Sequence, residues 1–158
     1  MRAGDERGSG VACGMGDCIS PLGVHLAAMR EPSLDLDGWC LDDAEQRRAS
    51  APDTVVIPSK KLRSGLGRGA LAQLLFMITV EDGEEPECER LWVVVRRRFP
   101  GGYLGVLDSE PTCIEKNHEL WSGSEIPFEP RHVIDVGPPT PASLTLAART
   151  PRRPWAPD

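Results

Sequence analysis

The apolar residues of this chain fall into short runs separated by turn-forming and acidic residues, and most of these runs lie between Thr54 and Val136. Residues 91–95, Leu-Trp-Val-Val-Val, are apolar on both faces, which predicts a central strand covered on both sides. The neighbouring runs are rich in β-branched residues and are bounded by Gly, Pro or acidic residues, as strands are. The pattern therefore predicts strands at residues 54–57, 71–80, 91–95, 103–107, 125–128 and 132–136.

Helix is scarce in the same pattern. Residues 42–48 predict one or two helical turns before Ser50 and Pro52, and residues 60–69 predict a helical turn followed by a glycine-rich loop. Short strands at regular spacing with little helix fit a small antiparallel barrel. The predicted fold class is mainly β, with an α+β character on the N-terminal side.

The ends of the chain differ in amino-acid composition from its middle. Residues 1–18 are rich in glycine and poor in apolar residues, so they predict a flexible tail. Residues 19–51 form a distinct segment ahead of the predicted barrel at 52–136. Residues 137–158 are dense in proline and predict a disordered tail with at most one helical turn.

The composition adds limits on function. The 158 residues carry a formal net charge of −6 and a pI near 5.1, and an acidic surface disfavours broad affinity for nucleic acid. No apolar run approaches the length of a membrane span, and the N-terminus lacks the apolar stretch of a secretory signal, so we expect a cytoplasmic protein. The five cysteines are scattered, without a Cys-x-x-Cys pair, so free thiols are expected instead of disulfides or structural zinc.

Three runs of the predicted barrel carry a resemblance to a known family: Leu91-Trp92-Val93-x-Val95, Gly102-Tyr103-x-Gly105-x-Leu107-Asp108, and Gly123-Ser124-Glu125-x-x-Phe128-x-Pro130-x-His132-Val133-Ile134-Asp135. They resemble an uncharacterised bacterial domain family that is interpreted as a small SH3-like β-barrel. The resemblance covers residues 52–136. That family usually has Gly-Asp at two turns, where this chain has Gly69-Ala70 and Gly123-Ser124.

A second, partial resemblance lies upstream. Met29-Arg30-Glu31-Pro32, followed by Asp37-Gly38-Trp39, is similar to motifs of immunity-protein-like domains associated with bacterial polymorphic toxins. Neither family supplies a catalytic residue, and this chain is expected not to be an enzyme and to need no cofactor. The resemblances imply a protein-binding module, with a toxin-like protein as the partner.

Acidic residues are the most prominent charge feature of the chain. Residues 81–89 predict an acidic, solvated hairpin loop, and Asp35, Asp37, Asp42 and Asp43 add to the charge. Such acids steer association with a basic protein. The predicted partner-binding residues are the loop acids together with two apolar anchors, expected to be exposed: Glu84, Glu85, Glu87, Phe99 and Trp121.

The sequence leaves two other classes of function open. Arg96, Arg97 and Arg98 could form a basic patch for nucleic acid, although we expect Trp92 beside them to be a core residue. An enzyme or metal site using Cys113 or the pair His118 and Glu119 has no third group in support. For His132 a packing or turn-bonding role is expected.

Overall fold

The structure, a computed structural model, describes residues 29–81, 84–113 and 119–155, so the predicted flexible tail at residues 1–18 lies outside the described residues. None of the helices in these ranges combines the length and apolarity that a membrane span requires. The described elements, in chain order, are α1 (Leu34–Asp37), β1 (Trp39–Leu41), α2 (Ala44–Ser50), α3 (Lys60–Ser64), β2 (Leu71–Ile78), β3 (Glu87–Phe99), β4 (Gly102–Leu107), β5 (Glu125–Phe128), a 3-10 turn (Pro130–His132), β6 (Val133–Gly137) and α4 (Pro141–Ala148).

The strands form one antiparallel sheet that curls into a half-barrel. β2, β3, β4 and β5 follow one another as a meander, and β6 then returns to pair with β2. The other end of the same β2 edge pairs with β1. The prediction of a mainly β, antiparallel fold is therefore confirmed, as are strands at five of the six predicted places.

Alternate residues of the strands meet inside the curl and form the hydrophobic core. Leu74 of β2 lies opposite Leu91 of β3, and both are buried. Tyr103 of β4 stacks on Phe128 of β5 with 5.1 Å between ring centroids. Burial of this face provides the main driving force for folding, since stability rises with the apolar area removed from water.

The opposite face of the sheet is covered in part by α4, which packs against β3 and β4. Val94 and Val106 lie opposite each other on these strands, outside the inner core cluster, and both are buried. Trp92 shares this outer face but is only half-buried, so the prediction that it is a core residue is wrong. The strand is apolar on both faces, as the sequence indicates, but its outer face is only partly covered.

The prediction of a disordered C-terminal tail is wrong for residues 138–155. Thr140 caps α4, because its hydroxyl accepts the N–H of Ser143, and Pro141 occupies the first turn, where proline is tolerated. The Ser143 hydroxyl then donates to the carbonyl of Gly69 at 2.7 Å and fixes the helix to the barrel. The prolines start and end this segment instead of preventing its structure.

The described part of the N-terminal segment, residues 29–51, belongs to the same folded unit as the half-barrel. β1 extends the sheet, and Trp39 is buried in the core cluster beside Phe76 at 5.6 Å. Arg131, in the 3-10 turn, binds the carboxylates of Glu31 and Asp43. The predicted boundary near residue 51 is therefore not a structural boundary in the described part of the chain.

Residues 54–57 do not form the predicted edge strand. The N–H groups of Thr54 and Val55 both donate to the carbonyl of Ala51, which turns the chain directly after α2. Val56 is 86% exposed, whereas Ile57 is buried. The β-branched composition is thus overridden by this local turn, because strand propensity depends on the presence of a partner strand.

Candidate functional site

The acidic residues at the start of β3 are exposed, as expected. Glu84 and Glu85 precede the strand and Glu87 is its first residue, so part of the predicted loop is strand. None of the three carboxylates has a cationic partner among the residues that the structure describes. They form a cluster of uncompensated negative charge, which we call the acidic cluster.

Several acids elsewhere are neutralised by arginine, including three of the four that the sequence analysis added to the acidic surface; the fourth, Asp35, is exposed. Asp37 accepts two hydrogen bonds from Arg30, and this arginine holds the pKa of the carboxyl below its usual range. Asp42 binds Arg47, and Asp43 binds Arg131 at 3.1 Å. These carboxylates stabilise the fold and offer little net charge to a partner.

The two predicted apolar anchors do not lie with the acidic cluster. Glu87 and Phe99 are the first and last of the 13 residues of β3, so the path along the strand between them is about 40 Å at the usual rise of a strand. Both Phe99 and Trp121 are half-buried, not exposed. Trp121 lies 5.9 Å from the guanidinium of Arg153. The structure therefore does not bring the predicted partner-binding residues into one surface.

The predicted basic patch is mostly engaged within the protein. Arg96 binds the Glu125 carboxylate at 2.8 Å and the carbonyl of Ala147 at 3.2 Å. Arg98 donates to the carbonyl of Ser64 at 2.9 Å and stacks over Tyr103. Arg97 is exposed and makes no such contact in the described structure.

One group of possible metal ligands occurs within the described residues: Glu87, Glu89 and Cys113, with ligand atoms within 4.8 Å of one another. The Glu89 carboxylate already accepts the backbone N–H groups of Thr112 and Cys113 at 2.8–3.0 Å. Burial, together with the adjacent Glu89, raises the pKa of the Cys113 thiol to about 12. The Glu89 carboxylate thus fixes the loop after β4 to β3.

The structure gives a separate outcome for each of the remaining residues that the sequence analysis considered for chemistry. His118 lies outside the described residues, and Glu119 forms an ion pair with Arg153. His132 is buried, and its Nδ1 accepts the N–H of Glu129 at 3.0 Å, which confirms the turn-bonding role. Cys40, Cys88 and Cys113 are free thiols, as expected.

The two turns that lack the expected aspartate are stabilised by other contacts. Gly69 and Gly123 both have positive φ, 83° and 91°, a backbone conformation that favours glycine. At the second turn the Ser124 hydroxyl accepts the N–H of Trp121 at 3.3 Å, in the way an aspartate carboxylate would. Ser124 therefore keeps this turn hydrogen-bonded in the place of the aspartate that the family pattern has there.

A concave site that the sequence analysis missed lies beside this second turn. Residues 151–155, which we call the C-terminal strap, run along the chain just before β5 and place Trp155 against Trp39, with ring centroids 5.8 Å apart. Arg30 covers the other side of the Trp155 ring at 4.5 Å. A cavity of about 130 Å³ lies among these rings and the side chains of Glu119 and Glu125. The strap residues, Pro-Arg-Arg-Pro-Trp, lie in the segment predicted to be disordered, and their tryptophan is the signal in the sequence that this segment packs against the fold.

No protein-family model, curated protein or solved structure matches this chain. The two family resemblances in the sequence therefore stay predictions.

Proposed function

We propose that this chain is a non-enzymatic protein-binding module built on an SH3-like barrel, which acts in the cytoplasm as an immunity-type inhibitor of a basic, toxin-like protein. The path of the chain supports the SH3-like architecture. A four-stranded meander is followed by a 3-10 turn and a last strand that pairs with the first strand of the meander.

The observation that carries the proposal is the acidic cluster. In the described structure most buried and half-buried carboxylates are matched to arginines. Glu84, Glu85 and Glu87 are exposed and have no cationic partner there. Like charges placed close together cost free energy unless an opposite charge neutralises them. A basic surface that docks on the cluster would supply that charge.

The expected consequence is kinetic. Complementary surface charge raises the association rate and selects against wrong partners more than it raises affinity, and salt screens the effect. An inhibitor of a basic enzyme needs this behaviour, because it must reach its target before the target acts. The proposal requires no catalytic residue in this chain.

The experiment is a charge reversal with a matched control. The first partners to test are the proteins encoded beside this gene, because immunity proteins are encoded next to their toxins. Glu84→Lys, Glu85→Lys and Glu87→Lys together should lower the association rate constant at least tenfold at low salt, measured by surface plasmon resonance. Asp35→Lys, Asp53→Lys and Glu110→Lys reverse three other exposed acids and should change it less than twofold. Equal effects of the two triple variants, or no binding of any neighbour-encoded protein, would contradict the proposal.

The alternative, a nucleic-acid-binding barrel using Arg96 to Arg98, has less support. Two of these three arginines donate to carbonyl or carboxylate oxygens of the protein itself, as described above. Phosphate binding by Arg96 would also take the only arginine partner among the described residues from the buried Glu125 carboxylate, which is costly. We therefore rank protein binding first.

A further inference from the structure

We propose that the groove occupied by the C-terminal strap is a recognition site for an extended segment of a partner polypeptide in which an arginine stands two residues before a tryptophan. The strap, with Arg153 and Trp155, fills this site in cis. The groove is distinct from the acidic cluster, so this proposal goes beyond the docking described above and does not depend on it.

The backbone of the strap is bound as a strand. The N–H of Arg152 donates to the carbonyl of Gly123 and the N–H of Glu125 donates to the carbonyl of Arg153, both at 2.9 Å. Ser124 and Arg153 form a parallel bridge. Main-chain pairing of this kind is how proteins add an extended peptide to a sheet, and it supplies affinity without demanding a long sequence match.

Two side-chain sites supply specificity along this backbone. In the first, the Arg153 guanidinium pairs with the Glu119 carboxylate, donates to the Glu119 carbonyl at 3.1 Å and lies over the ring of Trp121. An aromatic face next to a carboxylate suits arginine because the planar cation stacks and pairs at once. Trp121, expected from the sequence to anchor a partner, thus contacts a segment of its own chain.

The second site holds the tryptophan. The ring of Trp155 packs edge-on against Trp39 and lies under the Arg30 guanidinium. The backbone N–H of Trp155 donates to the Glu125 carboxylate at 2.9 Å. Trp39 continues into the core, so a ring bound here is backed by rigid packing. Arginine and tryptophan are the residue types that most often dominate binding energy at protein interfaces.

The strap fits this second site incompletely, which favours exchange. Among the described residues, the buried indole Nε1 of Trp155 has no hydrogen-bond partner, and the cavity of about 130 Å³ that these residues line lies beside it. A buried donor without an acceptor weakens the segment that carries it. A partner segment that also fills the cavity and offers an acceptor to this N–H would displace the strap despite the advantage of its covalent attachment.

The test uses the full chain and a fluorescent peptide with the sequence of residues 150–158, Thr-Pro-Arg-Arg-Pro-Trp-Ala-Pro-Asp. Arg153→Ala with Trp155→Ala, the strap variant, should free the groove and bind the peptide at least tenfold more tightly than the wild-type chain does, measured by anisotropy. Adding Glu119→Arg to the strap variant should abolish this binding. A peptide carrying Arg153→Glu should restore it. This reciprocal exchange of charge distinguishes binding in the groove from adsorption elsewhere.

Circular dichroism and thermal unfolding check that each variant is folded. If the strap variant unfolds, Arg153→Glu alone repels the strap from Glu119 and serves in the same assay. A folded variant that does not bind the peptide would overturn the proposal. Concentration-dependent dimers of the wild-type chain that are lost in Trp155→Ala would also overturn it, because the occupant would then be a second copy of this chain.

Discussion

The hydroxyl of Tyr103 in β4 donates to the main-chain carbonyl of Arg63 at 2.8 Å and accepts the N–H of Leu66 at 3.2 Å. Through this one side chain the core of the barrel holds the end of α3 and the loop that follows it. Neither backbone group has access to water in the buried environment of Tyr103, so the phenol is their partner in place of solvent.

Tyr103→Phe should therefore lower the free energy of unfolding by about 1–3 kcal/mol, because it leaves a buried carbonyl and a buried N–H unsatisfied while the ring packing against Phe128 is kept. Urea denaturation measures the change. Thr145→Val is the control, since it removes an exposed hydrogen bond to the carbonyl of Pro141 and should cost less than about 0.5 kcal/mol. Similar losses in the two variants would show that the Tyr103 hydroxyl adds nothing beyond an ordinary surface bond.

The Tyr103 contact also illustrates what the sequence could reveal. The runs at β2 to β6 are predictable because their apolar residues pack on the core, and burial makes such patterns visible. A hydroxyl that reaches a carbonyl 40 positions earlier in the chain leaves no local pattern. The same holds for β1, which at three residues is too short to show alternation.

At two places in the chain the position of a residue outweighs its general preference. The prolines of the C-terminal segment predict disorder, but Pro141 stands in the first turn of a helix, where proline is tolerated. Thr140 caps this helix, and Ser143 bonds back to Thr140. At residues 54–57 the β-branched residues predict a strand, but the chain forms a turn there, which is closed by hydrogen bonds to the carbonyl of Ala51. The strap groove could not be derived because its parts, Trp39, Trp121 and Trp155, come together only in the folded chain.

Arg131 is expected to hold the N-terminal segment on the barrel. Its guanidinium contacts Glu129 at 2.8 Å and Asp43 at 3.1 Å and also binds Glu31, so it links the 3-10 turn to two places near the start of the described chain. Arg131→Ala should cost about 1–2 kcal/mol in urea denaturation, a value reduced by solvent screening because the side chain is one-third exposed.

The comparison variant for this prediction is Arg48→Ala, which removes an exposed arginine of α2 without a described partner. It should change stability by less than about 0.5 kcal/mol. The difference between the two variants should shrink in 1 M salt, because screening weakens the three ion pairs of the wild-type protein. A difference that is independent of salt would assign the loss to packing instead.

Nucleic-acid binding can be tested with a single exposed residue. Arg97 is the member of the predicted basic patch that the described contacts leave exposed, while Arg96 and Arg98 are held within the protein. We expect no retention of the wild-type chain on heparin or single-stranded DNA at about 50 mM salt, where non-specific phosphate binding is strong. Salt-dependent retention that Arg97→Ala abolishes would favour the nucleic-acid alternative over protein docking.

His132 should make the fold sensitive to mild acid. Burial lowers its pKa below the ordinary 6.5, and the nearby Arg131 acts in the same direction. Its Nδ1 must also stay unprotonated to accept the N–H of Glu129. The folded state therefore keeps the ring neutral at a pH where the unfolded chain binds a proton, and the unfolded state is favoured as protons are added.

The direction of the pH dependence of stability follows from this lowered pKa. The contribution of His132 to stability is complete above pH 6.5 and is lost as the pH falls from 6.5 toward the lowered pKa of the folded state, by at most about 1.4 kcal/mol per pH unit. His132→Asn keeps an acceptor for Glu129 but cannot titrate. Urea denaturation from pH 8 to pH 5 should show a stability gap between wild type and variant that is constant above pH 7 and narrows as the pH falls below 6.5, by no more than about 1.4 kcal/mol per pH unit. Asp37 and Asp43 also have lowered pKa values, but they titrate at lower pH and affect both proteins alike. If the plots of stability against pH for wild type and variant are parallel from pH 8 to pH 5, the His132 ring does not set the acid sensitivity of the fold.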